Sequence, residues 1–241
     1  MSEKDSYYAM PLGKVPDFSF NAEVVRVFDD MIQRSVPGYA SIVVLTGQLA
    51  GRFAQPGDRV YELGCSTGAS LFAMRQHLDP SAKLVGVDAS AAMITQCQAN
   101  LAKQTTGCHV ELIEADIATM AFDPAAFFVL NFTLQFVPLA ERNALLKRIA
   151  AATNPGGALV MSEKIQFSDA RQQRLHTEMH LDFKSRNGYS DLEISQKRTA
   201  LERVMVPEKL ETHRRRILDA GFQSCEVWFQ CFNFLSLVAI R

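Results

Sequence analysis

The 241-residue sequence predicts an α/β fold, with a mostly parallel sheet of seven strands covered by helices on both faces and an antiparallel last strand. Three observations predict it. Between residues 57 and 164 short apolar runs alternate with segments of helical periodicity, and that rhythm requires right-handed crossovers and parallel strands. The runs are apolar almost throughout rather than at every second position, as in strands buried on both faces. The chain ends on two strand-like runs, CEVWFQ and FNFLSLVAI, close enough in sequence to form a tight antiparallel pair.

Taken in order, residues 1 to about 20 read as a loosely ordered arm. Val24, Val25, Phe28, Met31 and Ile32 then recur at 3.6-type spacing and predict a helix that begins near Asn21 and stops before Pro37-Gly38. Ile42 to Phe53 predicts a second helix, ended by Pro56-Gly57. Strand and helix segments follow in the series RVYELG, ASLFAMRQHL, KLVGVD, AAMITQCQANLAKQ, HVELIEAD and FFVLNFTL. A fifth strand, ALVMSE, comes after the turn Asn154-Pro155-Gly156-Gly157. Residues 165–206 have few apolar runs and many helix formers, which predicts two or three inserted helices. A helix from Pro207 to Ala220, stopped by Gly221, leads into the closing strands. The expected organisation is a single domain over residues 1–241: arm and helices 1–56, core 57–164, helical insertion 165–206, closing helix and strands 207–241.

Composition narrows the function classes. With 25 Lys and Arg against 26 Asp and Glu the net charge is −1, and 48% of residues are hydrophobic. Such a chain can bury roughly 70 to 75% of its unfolded surface in one core. The charge balance argues against direct nucleic-acid binding, which needs a clear excess of Lys and Arg. The five cysteines contain no C-x-x-C pair and read as reduced thiols, which implies a cytoplasmic location. The N-terminal stretch has no apolar signal core, and no run reaches the 18 to 20 apolar residues of a membrane span.

The first candidate site is Glu62-Leu63-Gly64-Cys65-Ser66-Thr67-Gly68, where the first strand ends. Small residues at 64, 66 and 68 let the backbone turn sharply and approach a ligand. It lacks the G-x-G-x-x-G spacing of a dinucleotide site, which disfavours NAD. Asp88 ends the second strand, where a carboxylate can accept from both hydroxyls of a ribose, although it could instead cap the next helix. Asp116-Ile117 ends the third strand. There an acid can accept from an adenine amino group while the following backbone N–H meets a ring nitrogen; an Asx turn is the alternative.

Those motifs in this order, with Asn131 at the fourth strand's end, resemble the S-adenosyl-L-methionine site of the Rossmann-like class I methyltransferases. A closer resemblance covers nearly the whole chain. RSVPGY (34–39), YELGCSTG (61–68), GVDAS (86–90), NFTLQF (131–136), ISQKR (194–198) and the ending WFQCFNFLSLVAI are similar to the carboxy-S-adenosyl-L-methionine synthase family. The resemblance implies that S-adenosyl-L-methionine and prephenate are converted to carboxy-S-adenosyl-L-methionine and phenylpyruvate. It also implies a homodimer whose product serves a tRNA carboxymethyltransferase acting at wobble uridine 34. By the same resemblance Tyr39, Gly64, Cys65, Ser66, Asp88, Ala89, Asp116, Ile117 and Asn131 hold the adenosyl and methionine parts, and Arg198 pairs with the added carboxylate. An arginine beside a sulfonium is a like-charge contact unless an anion lies between them, and with a carboxylate it forms a strong bidentate pair. From spacing alone Arg198 reads as a solvated helix residue facing Glu202 at i+4. Prephenate has two carboxylates, so further cations are expected in the pocket, at positions the sequence does not reveal.

Other constellations point elsewhere. His176 and His180 stand at i and i+4 but lack the H-E-x-x-H order and a third ligand, so no metal is expected. His213 to Arg216 reads as a solvated helix face near a C-terminus. Cys65 has no histidine placed beside it by the sequence and reads as a small packing residue rather than a nucleophile. An ordinary methyltransferase acting on a small molecule or RNA is the alternative activity.

Overall fold

In the computed structural model, which describes residues 3–241, the predicted apolar runs pair into one sheet. Its strands are β1 (Arg59–Leu63), β2 (Lys83–Asp88), β3 (His109–Glu114), β4 (Ala125–Asn131), β5 (Thr153–Gln166), β6 (Glu208–Lys209), β7 (Ser224–Cys231) and β8 (Phe234–Ile240). The order is β3-β2-β1-β4-β5-β8-β7, with the two-residue β6 against β5. The first five strands are parallel, and β8 runs antiparallel to both β5 and β7. The seven expected strands are therefore present, with β6 as an addition too short to leave an apolar run.

The alternation along β4 shows why both faces must be apolar. Phe127 and Val129 pack with Val60, Leu84 and Val160 on one side. Phe128 and Leu130 pack with Tyr61, Val85, Leu159 and Met161 on the other. Each fully buried side chain of this size contributes roughly 1.5–3 kcal/mol. The helices over these faces include α2 (Tyr39–Phe53), α3 (Ala69–Arg75), α4 (Ala91–Leu101), α5 (Leu139–Ala152) and α8 (Leu210–Ala220). Helix α1 (Ala22–Ser35) starts at Asn21, whose side-chain oxygen accepts from the N–H groups of Glu23 and Val24. The insertion is two helices, α6 (Ala170–Arg186) and α7 (Asp191–Leu201), the latter opened by a Ser190–Glu193 capping box.

Three local expectations differ from what is observed. The sequence reading assigns nothing between the fourth and fifth strands, yet α5 fills the gap; the charge-free run 124–140 continues from β4 into its first turn and hides the change of period. The Asn154–Gly157 turn is an outward loop within β5: Ala125 pairs with Thr153 and Phe127 with Ala158, so the intervening residues bulge. The arm expected to be loose is seated, with Asp5 and Tyr8 buried. Leu12 N–H donates to Gln196 Oε1 at 2.7 Å and Phe18 N–H to the Ala200 carbonyl at 3.0 Å. These contacts lay the arm along α7.

Candidate functional site

Parallel strands bring their carboxyl ends to one edge, and at that edge lies a cavity of about 450 Å³. The residue after β1, the last of β2, the turn after β3 and the last of β4 all reach it: Gly64, Asp88, Asp116 and Asn131. Because β8 is antiparallel, its first residue, Phe234, lands at the same edge opposite Lys164 of β5.

The turn after β1 is built for close approach. Gly64 has φ +82°, and a Cβ there would sit 2.3 Å from Thr133 Oγ1. Its N–H and that of Cys65 both donate to the Val87 carbonyl, at 2.7 and 2.9 Å, which ties the turn to β2. Ser66 follows at φ +49°, and Phe132, after Asn131, has φ +59°. Both line the cavity. Left-handed backbone at non-glycine positions costs about 1–3 kcal/mol, and here it clusters at the ligand-facing edge.

Asp88 is held by its neighbours without being used up. One carboxylate oxygen accepts from Ser66 N–H and the other from Ser90 N–H, each at 2.9 Å. Burial raises its pKa and the two N–H bonds lower it. A carboxylate has about four lone-pair positions, so capacity remains for two hydroxyls. The helix cap that competed with this reading is supplied by Ser90, whose Oγ accepts from Met93 N–H at 3.2 Å. Asp116 does make the Asx turn, accepting from Ala118 N–H at 2.8 Å through Oδ1, and it also faces the cavity. Asn131 is oriented by Ser70, to which it donates at 3.0 Å, and by Ser162, from which it accepts at 2.7 Å.

Ala89 and Ile117 line the cavity as well, whereas Tyr39, Cys65 and Arg198 are outside its lining. Tyr39 opens α2, packs its ring 6.3 Å from that of Phe132, and borders a second cavity with Asp29, Thr67 and Asn100. Burial pushes its hydroxyl pKa up, with Glu62 and Asp29 adding to the effect. Cys65 is buried against Cys97, and that contact and burial raise its thiol pKa far above the usual range, so it is a packing residue and not a thiolate. Arg198 is exposed on α7, although its charge still lowers the pKa of Lys164 and Lys184 on the cavity wall.

The cations the sequence left unplaced are Lys164, Lys184 and Lys197, which line the cavity together with His180. Lys184 and Lys197 are buried, and burial is the first cause lowering all three pKa values, to about 7 for Lys184 and about 8 for Lys197. The mutual repulsion of Lys197, Lys164 and Arg198 adds to the effect on Lys184. His180 is lowered to about 3 by burial and then by the lysines, so it is neutral and donates Nε2–H to the Ser35 carbonyl at 2.8 Å. His176 stacks on Phe167, away from His180's partners. Among the described residues no group of three or more His, Cys, Asp or Glu is placed to hold a metal ion. Another part of the cavity wall is aromatic and comes from the arm, α1 and the turn before α5: Phe18, Phe20, Phe28 and Phe136. Among the described residues no helix is long and apolar enough to cross a membrane.

Comparison with known proteins agrees with this geometry. The family described as "Methyltransferase domain" matches residues 60–157. The chain is 53% identical over 240 residues to a carboxy-S-adenosyl-L-methionine synthase of Trichlorobacter lovleyi, covering 98% of each chain. It is 49% identical over 242 residues to one from Escherichia coli, covering 100% of this chain and 98% of that one. Its fold resembles that of a magnesium protoporphyrin IX methyltransferase from Synechocystis with bound S-adenosylhomocysteine, with a TM-score of 0.61 at 17% identity over 93% of this chain and 90% of that one.

Proposed function

The chain belongs to the carboxy-S-adenosyl-L-methionine synthase family, and on that premise we propose that it converts S-adenosyl-L-methionine and prephenate to carboxy-S-adenosyl-L-methionine, phenylpyruvate and water. One observation carries this reading. The cavity bounded by the nucleoside-type residues Gly64, Ser66, Asp88 and Asp116 is also bounded by three lysines. Simple methyl transfer gains nothing from ammonium groups near a sulfonium, since like charges repel; a carboxylate-bearing second substrate makes them useful.

The residues fit an adenosyl sulfonium ligand. Gly64 permits the tight turn that Thr133 packs against at the cavity edge, Asp88 keeps lone pairs for the ribose, and Asp116 with Ile117 offers an acceptor and a backbone N–H for adenine. Ser66, Ala89 and Asn131 border the same space, and Cys65 supplies the turn that presents them. Tyr39 packs against Phe132, which borders the same space. When bound, the ligand supplies a sulfonium-activated methyl carbon. The aromatic wall excludes water around that carbon, so CO₂ released beside it is captured before it escapes, with proximity in place of a carrier. Arg198, near enough for its charge to be felt at Lys164 and Lys184, pairs with the carboxylate once it is added. No residue of this set needs a metal. The protein acts in the cytoplasm as a homodimer, and its product is consumed by a tRNA carboxymethyltransferase at wobble uridine 34.

Mass spectrometry of the ligand that copurifies with the protein, before and after incubation with prephenate, tests the reading. A species heavier than S-adenosyl-L-methionine by one CO₂, and lost in Arg198→Ala, supports it. Only S-adenosyl-L-methionine or S-adenosylhomocysteine after prephenate incubation refutes it and leaves an ordinary methyltransferase.

A further inference from the structure

The three cavity lysines are not equivalent. Lys197 is already occupied: its ammonium donates to Ser35 Oγ at 2.9 Å and lies 3.6 Å from Asp5 Oδ2. Asp5 in turn accepts from the Tyr189 hydroxyl, so the arm holds this lysine in a buried network. Among the described residues no carboxylate lies within 4.0 Å of Lys164 or Lys184. The Lys164 ammonium lies over the face of Phe234, 5.8 Å from the ring centre. Both lysines sit on rigid backbone. Lys164 is paired in register with Phe234, and the Lys184 carbonyl accepts from the N–H groups of Asn187 and Tyr189 at the end of α6. Two walled-in cations without an anion, facing a cavity, constitute a site for one.

We propose that Lys164 and Lys184 bind the carboxylate that the donor keeps, that of its 2-oxoacid side chain, while the carboxylate that leaves as CO₂ faces the aromatic wall. This rests on the synthase reading and goes beyond it by assigning the two carboxylates to different environments. The chemistry decides between them. In the donor the bond from the ring carbon to its carboxylate breaks, the electron pair enters the ring, and the hydroxide at the opposite ring carbon departs as the ring becomes aromatic. A dianion thus yields the phenylpyruvate anion, CO₂ and hydroxide, and the hydroxide takes the methyl proton to give water. Pairing the departing carboxylate with ammonium groups would stabilise the charged ground state and raise that barrier, whereas an apolar wall favours loss of its charge. The retained carboxylate keeps its charge throughout, so cations can hold it without slowing the reaction.

The experiment loads wild type, Lys164→Met and Lys184→Met with S-adenosylhomocysteine, which has no methyl to react, and titrates each with phenylpyruvate and with prephenate by calorimetry. Phenylpyruvate has only the retained carboxylate. Wild type is expected to bind both, and each variant to weaken both by tenfold or more and by similar factors, with S-adenosylhomocysteine affinity unchanged as proof of an intact fold. Unchanged affinities in the variants overturn the assignment and leave the synthase reading standing. A loss confined to prephenate also overturns it, by placing the lysines on the departing carboxylate. Wild type that binds neither acid overturns the synthase reading itself, and the subsite with it.

Discussion

Replacing Lys184 by Met should make the ligand-free protein more stable. Lys184 is 7% exposed, and burial, reinforced by Lys197, Lys164 and Arg198, brings its pKa from 10.5 to about 7. At about 1.4 kcal/mol for each unit of pH, holding this group charged in the folded state costs roughly 5 kcal/mol. The sign follows from proton counting. Below pH 7 the group is charged in both states and the full cost is present. Between pH 7 and 10.5 the folded state has lost the proton and the unfolded state still holds it, so the cost shrinks as pH rises and is gone near 10.5. Methionine keeps most of the length of the side chain, one atom short of the ammonium, and has no charge to desolvate. Urea denaturation of both proteins at pH 6.5, 8 and 9.5 should show Lys184→Met more stable by several kcal/mol at pH 6.5, with the gap closing toward pH 9.5. Phenylpyruvate should narrow the gap at pH 6.5, because it binds more tightly to, and so stabilises more, the protein that still has the lysine. A variant less stable than wild type at pH 6.5, or a gap independent of pH, would refute the electrostatic account of this cluster.

Further outcomes follow from other parts of the site. Glu163 is fully buried, accepts from the N–H groups of Leu134 and Gln135 at 2.9 and 3.0 Å, and is raised by burial to about 8, with Arg142 and those N–H groups opposing. Its folded carboxyl therefore keeps a proton between about pH 4.5 and 8 that the unfolded chain gives up, so stability falls as pH rises through that window. Glu163→Gln should flatten that part of the stability profile, whereas Glu163→Ala should cost about 2–4 kcal/mol by orphaning two buried N–H groups, as read from urea midpoints. Arg142 is fully buried and donates to the carbonyls of Gln135, Val137 and Val206 and to Glu208; Arg142→Met should lower stability by about 3–5 kcal/mol in the same assay and weaken S-adenosylhomocysteine binding by loosening the 135–137 wall. Gly64→Ala places a Cβ on Thr133 at a positive φ, and calorimetry should show at least a tenfold loss of S-adenosylhomocysteine affinity.

What could be read from the sequence and what could not divide along a physical line. Gly64, Asp88, Asp116 and Asn131 were identifiable because each ends an apolar run that pairs in parallel, and parallel pairing carries four separate strand ends to one edge. A short local pattern was enough for each. Lys164, Lys184 and Lys197 come from a strand and two inserted helices, and each stands in a charged neighbourhood (SEKIQ, DFKSR, SQKRT) that looks solvated. Their convergence depends on how the insertion docks on the sheet, which no local period encodes. The arm is the same case: Asp5 lies in SEKDS, indistinguishable from a solvated tail, yet it is buried beside Tyr189 and Lys197. Arg198, the residue picked out by resemblance, is exposed, and its neighbour Lys197 lines the cavity. One helical step separates the two, so Lys197 lines the cavity while Arg198 is felt at Lys164 and Lys184 through its charge. A protein selected for stability alone would have apolar side chains at Lys184 and Lys197. That it keeps buried lysines beside an adenosyl-type pocket, and commits one arm carboxylate to a single member of the cluster, is the physical reason to look for an anionic second substrate there.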